Sequence, residues 1–148
     1  MRLQQIKDVN GSTYIGIDLP ATSVSKYIEV LDRELGKEDT ETFVENLLRR
    51  NGGRFHCTVF NVMECGKMGS ACVGDILESA KEYQVNMLGI GRGENSDKDV
   101  TYFIVCESPQ INELRLDYGF APKDLHVTLA FSKKDIFNID KSKVLWKV

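Results

Sequence analysis

The chain has 148 residues, 42% of them hydrophobic and 28% charged, which fits one domain with a sizeable core over residues 1–148 and excludes a membrane-spanning helix, since no apolar run is long enough to cross a bilayer. No membrane partner is expected. A formal net charge of −3 argues against broad binding of long DNA or RNA, which draws on basic surface, and leaves room for a small nucleotide in a locally basic pocket. The opening stretch, Met1 to Gly11, is polar and charged, so no secretory segment is expected and the cytoplasm is the expected compartment.

Leu3 to Val9 is a weak strand candidate. Thr13 to Leu19 is a stronger one, with Tyr14, Gly16 and Asp18 alternating against Ile15 and Ile17 before Pro20 ends it. Thr22 or Ser23 is the expected cap of a helix whose Val24, Tyr27, Ile28, Leu31 and Leu35 recur at helical spacing, with Gly36 just past its end. Thr42 to Arg50 predicts a second short helix, closed by Asn51-Gly52-Gly53, and Phe55 to Val62 an apolar strand. Cys65 to Ser70 reads as a loop; Val73, Ile76, Leu77 and Ala80 mark another amphipathic helix. Val85 to Ile90 and Val100 to Cys106 read as paired strands, with Gly91 to Asp99 as their hairpin loop. Ser108-Pro109 starts a helix that buries Ile111 and Leu114 and ends at Gly119. Leu125 to Phe131 is a second apolar strand, and Val144 to Val148 a last short one.

The four cysteines, Cys57, Cys65, Cys72 and Cys106, form no C-x-x-C pair and stand at no zinc-finger spacing from the histidines. Free, mostly buried thiols and no metal site are expected. The two histidines are more informative. His56-Cys57-Thr58-Val59 and His126-Val127-Thr128-Leu129 share the pattern His-x-Thr-aliphatic, and each lies in one of the two apolar strands. Strand alternation puts His and Thr on one face and turns Cys57, Val59, Val127 and Leu129 towards a core. An amphipathic helix precedes each motif, and the motifs lie 70 residues apart. This faint repeat predicts a two-lobed α+β fold with pseudo-twofold symmetry, central antiparallel sheets, helices outside and a cleft between the lobes.

Two imidazoles facing one cleft supply a base and an acid that titrate near neutral pH, and two hydroxyls supply donors for phosphate oxygens. A phosphodiester reaction needs those roles and no metal. The pair His56-x-Thr58 and His126-x-Thr128 resembles the signature of the two-histidine (2H) phosphoesterase superfamily. With Gly11-Ser12-Thr13-Tyr14 near the start and Asp124 to Leu129 near the end, the chain also resembles a bacteriophage branch, described both as RNA-repair-like and as anti-CBASS nucleases that degrade cyclic oligonucleotide immune signals. The resemblance implies metal-independent catalysis by His56, Thr58, His126 and Thr128, no cofactor, and, for a phage protein, the host cytoplasm. It leaves open whether 3′,5′ linkages of cyclic di- or oligonucleotides or 2′,3′-cyclic phosphates at RNA ends are cleaved, and which histidine is the base. A nucleotide-binding or assembly module without turnover is a third reading, against which the complete acid–base set argues.

Candidates for substrate contact are Tyr14, with Gly16 leaving room for a base to stack on its ring; Arg54, on the strand face of His56; and Trp146, the one tryptophan. Arg49 and Arg50 before the first motif, and Lys133 and Lys134 after the second, are further basic residues for a second phosphate. Glu94 and Asn95 can read base edges.

Overall fold

Period-two and period-3.6 apolar patterning yield six strands and five helices among the residues that the computed structural model describes, 1–79 and 81–148. In chain order they are β1 (Gln4–Lys7), β2 (Thr13–Leu19), α1 (Ala21–Leu35), α2 (Lys37–Arg50), β3 (Phe55–Phe60), α3 (Val62–Met68), α4 (Ser70–Glu78), β4 (Asn86–Glu94), β5 (Val100–Glu107), α5 (Pro109–Asp117) and β6 (His126–Phe131). The strands form one antiparallel sheet of order β1-β2-β3-β6-β5-β4. Two halves of like order, β1-β2-helix-β3 and β4-β5-helix-β6, therefore meet at β3 and β6. This is the α+β plan that the repeat predicts, with the two half-sheets fused into one. No described helix is long and apolar enough to cross a membrane.

The halves also match in their irregularities. Ile15 pairs with Phe60 and Gly16 with Thr58, which leaves Val59 as the extra residue of a bulge. Tyr102 pairs with Ala130 and Phe103 with Thr128, which leaves Leu129 in the same position. In both motif strands the residue after the Thr is the bulged one, a device that re-aims neighbouring side chains. At the first bulge the backbones come close: a Cβ on Gly16 would lie 2.6 Å from the Cys57 carbonyl oxygen. Gly16 thus answers to this approach rather than to space for a base beside Tyr14. Gly16→Ala is expected to cost about 1–3 kcal/mol through forced backbone movement, read as a lower urea midpoint at unchanged m-value. An unaltered midpoint would show that β2 yields freely.

The face away from the motifs is the core. Ile15, Ile17, Cys57, Val59, Val127 and Leu129 are all buried, joined by Val24 and Leu31 of α1, Leu47 of α2 and Ile111 of α5. The buried Arg115 of α5 fastens this side. It grips the Glu64 carboxylate with both terminal nitrogens (2.9 and 2.7 Å) and donates to the carbonyl of the bulged Val59 at 2.6 Å. Burial opposes ionisation of Glu64, but Arg115 more than compensates and holds its carboxyl below the usual range. All four cysteines are free, and Cys57, Cys65 and Cys106 are buried.

Several expected boundaries move for local reasons. Pro20 precedes α1 directly with no side-chain cap, so Thr22 and Ser23 lie inside the helix. Gly36, at φ 87°, both closes α1 and opens α2, which therefore starts at Lys37 with Glu38 and Asp39 in its first turn rather than at Thr42. The expected loop at Cys65 to Ser70 is mostly helical. Asn61 and Glu64 form a reciprocal capping box that ends β3 and starts α3. Ala80, expected on the apolar face of α4, lies outside the described residues. β4 extends to Glu94, and the Asn95 side chain folds the turn by accepting from the amides of Asp97 and Asp99. Leu114 is only partly buried. Val144 to Val148 forms no strand; it touches β4 by one bridge, Ile90–Trp146.

Candidate active site

Among the described residues, β3 and β6 share a single register pair, Cys57–Val127. Counting outward along antiparallel strands sets His56 across from Thr128 and Thr58 across from His126. The two motifs thus lie head to tail about the pseudo-twofold axis. His56, Thr58 and His126 line one cleft of about 870 Å³, together with Tyr14, Arg50, Lys123 and Lys141.

The ring of His126 is oriented from within its own turn. Its Nδ1 lies 2.8 Å from the Asp124 carbonyl oxygen, which can only accept, so Nδ1 carries the proton. In the neutral ring Nε2 then holds the lone pair, and Lys141 Nζ lies 3.5 Å from it. His56 is held differently: its Nε2 lies 2.9 Å from the Tyr14 hydroxyl, while its buried Nδ1 has no partner among the described residues.

Asp135 organises the second motif from behind. It is almost fully buried and accepts from Arg50 Nη1 (3.0 Å), Thr101 Oγ1 (2.9 Å), Thr128 Oγ1 (3.0 Å) and Lys141 Nζ (3.3 Å). Burial works against its ionisation, and Lys141 and Arg50 overcome that and hold its carboxyl below the usual range. Two cations on one carboxylate leave a net positive charge beside the histidines. The Thr128 hydroxyl is committed to Asp135 and does not line the cleft; Thr58 does line it.

Both imidazoles have weakened proton affinity. Burial and then Arg50 push His56 from 6.5 down to about 4; burial and then Lys141 do the same to His126. The unfolded chain therefore holds up to two more protons than the folded one between these values. Stability should fall as pH drops from 6.5 to 4, by up to about 3 kcal/mol per histidine. Thermal unfolding against pH reads this directly, and a His→Gln change at either site should flatten the slope in that window. Equal slopes in wild type and variants would refute it.

Of the residues singled out from sequence for substrate contact, Tyr14 and Arg50 lie in the cleft. Arg54 is outside it, on the exposed margin, where it pairs with Asp18 at 3.5 Å. Trp146 is outside too: it stacks on Tyr102 (centroids 5.9 Å, planes 9° apart) and pins the C-terminal segment to β4. Glu94 pairs with Arg92 and Asn95 builds its turn, so neither faces the cleft. Lys133 and Lys134 line a separate, adjoining cavity. Lys141 and Lys123 in the cleft, and Asp135 buried behind it, are the site residues that sequence reasoning misses. They lie in irregular segments where no periodicity reports which way a side chain points.

The arrangement can accept a proton at His126 Nε2, supply one from the His56–Tyr14 pair, and hold an anion between Thr58, Arg50 and Lys141. A family model described as "2H-SAK: Swiss Army Knife, 2H phosphoesterase domain" matches residues 22–137. No curated protein and no solved structure matches the chain.

Proposed function

The chain belongs to the 2H phosphoesterase family, and from that premise we propose that it is a metal-independent phosphodiesterase that opens 3′,5′ linkages of cyclic di- or oligonucleotides, the chemistry of the anti-CBASS nucleases it resembles. The observation that carries this reading is the shape of the cleft around the two histidines. Its volume of about 870 Å³ lies near the top of the roughly 300–1,000 Å³ range of small-molecule sites. Val9, Met63 and Phe137 also line it, and they are 79%, 71% and 77% exposed. Apolar groups left in water at the rim of a basic cleft suit nucleobases stacked above a phosphate.

In this reading His126 is the base. The Lys141 ammonium, 3.5 Å from Nε2, disfavours the imidazolium and keeps the ring neutral; Nε2 exchanges this long contact for the ribose 2′-hydroxyl and takes its proton. O2′ forms a bond to phosphorus, the bond from phosphorus to O5′ breaks, and His56 gives the leaving O5′ its proton. The products are a 2′,3′-cyclic phosphate end and a 5′-hydroxyl. Thr58, Arg50 and Lys141 face the non-bridging oxygens. Thr128 acts through Asp135 rather than on the phosphate.

One imidazole must be charged and the other neutral. With both near 4 in the free protein, kcat/KM should follow a bell with its maximum on the acid side of neutrality. The kcat profile should sit at higher pH, because the bound phosphate anion favours the imidazolium. A kcat/KM optimum above pH 8 would contradict this. Substrate choice is tested by incubating the protein in EDTA with cyclic dinucleotides, cyclic trinucleotides and RNA 2′,3′-cyclic phosphates, read by mass spectrometry. Ring opening is expected. Loss of turnover in EDTA would sink the metal-free mechanism, and cleavage of RNA ends alone would replace the substrate.

A further inference from the structure

A second cavity of about 670 Å³ adjoins the cleft, and Arg50 and Phe137 line both. Arg49, Lys133 and Lys134 complete its basic wall. The chain as a whole carries −3, so positive charge is concentrated here against the overall balance. Asp135, the carboxylate among the lining residues, is already committed to Arg50, Lys141 and two threonines. Glu45 meets Arg49 at 3.1 Å, but that pair is about 70% exposed on both sides and binds weakly in water.

The wall is held in place. Arg50 donates from Nε to the Asn51 side chain (2.9 Å) and from Nη1 to Asp135 (3.0 Å), and its guanidinium lies 5.2 Å from the centre of the Phe131 ring. That fixes it on the border between the cavities. The Asn46 amide donates to the carbonyls of Phe131 and Ser132 at 3.1 and 3.0 Å. It ties α2, which carries Arg49 and Arg50, to the turn that carries Lys133 and Lys134. Phe137, exposed between the two cavities, offers a ring where a nucleoside linking two phosphates would pass.

We infer that this cavity is a second anion subsite, built for the phosphate next to the scissile one, so that the preferred ligands carry at least two phosphates. The inference rests on placing the scissile phosphate between His56 and His126. It makes phosphate count a determinant of specificity, with Arg49, Lys133 and Lys134 as the residues that read it.

The test measures binding of 5′-phosphorylated oligothymidylates with one, two and three phosphates, which lack the attacking 2′-hydroxyl. Wild type is compared with a Lys133→Ala/Lys134→Ala double variant, whose altered side chains are exposed. Wild-type affinity should rise about tenfold from one phosphate to two. In the variant that step should disappear, and the log–log salt dependence should become shallower by about 0.7 for each phosphate that is no longer neutralised. A wild-type affinity independent of phosphate number, or an equal step in both proteins, would overturn the subsite. The catalytic reading fails separately: graded binding with no turnover of any cyclic nucleotide leaves the subsite standing and removes the enzyme.

Discussion

His126→Ala is expected to lower kcat/KM on a cyclic dinucleotide by roughly 10²–10⁴-fold, and His56→Ala by a similar factor. The chain has only two histidines, and both line the cleft. In the proposed mechanism each loss removes one of the two proton transfers. Lys141 cannot replace His126: its charge is tied to Asp135, and an ammonium has no lone pair to accept a proton. Because the proposed mechanism couples the two imidazoles in one concerted exchange, the double variant should be little slower than the worse single one. Folding should survive, since burial already disfavours the charged form of each ring and neither ring carries the core. Steady-state kinetics with circular dichroism as the folding control measures this. Single variants within threefold of wild type would refute the acid–base pairing, and fully multiplicative losses would show that the two rings act in independent steps.

Asp135→Ala should be the most destabilising single change near the site, at about 3–5 kcal/mol, because it strands the buried Lys141 ammonium. Lys141 has a side chain only 4% exposed and would face His126 without its counter-charge. Thr101 and Thr128 would lose their acceptor at the same time. Asp135→Asn separates the two effects: it keeps an oxygen for the threonines and removes only the charge. It should unfold at a lower urea concentration than wild type and a higher one than Asp135→Ala. In whatever folded protein remains, the His126 imidazolium should become harder to form, moving the acid limb of the pH–rate profile further down. If Asp135→Asn matched wild type in both stability and pH profile, the carboxylate charge would have no part in the site.

The strand alternation around His56 and His126 was legible because a two-residue period needs only local reading. It located the motif pair, the α+β class and the core face of Cys57, Val59, Val127 and Leu129. The α3 helix was legible in principle from Asn61 and Glu64, but an apolar run through Val62 hides a capping box. Arg54 and Trp146 show the limit of face arguments. Arg54 falls just before β3 and outside its alternation, and its side chain pairs with Asp18 on the neighbouring strand. Trp146 finds a ring to stack on at Tyr102 before it can reach the cleft. Lys141 and Asp135 were invisible because their positions depend on how residues 132–148 wrap across β4, β5 and β6, a tertiary fact with no local signature. The bulges at Val59 and Leu129 were equally hidden, since a bulge is a relation between two strands.

The single Cys57–Val127 pairing between the halves bears on turnover as well as architecture. Each half keeps its own ladder, β1-β2-β3 on one side and β4-β5-β6 on the other. Across that seam side chains do the joining: Arg115 to Glu64 and the Val59 carbonyl, Asn46 to the carbonyls of Phe131 and Ser132, and Arg50 to Asp135, so the gap between the two imidazoles rests on these residues rather than on backbone pairing. The molecule is in this respect a book whose spine is laced with side chains: a substitution at Arg115 or Asn46, neither of which lines the cleft, would loosen the fit of the two pages that carry the histidines.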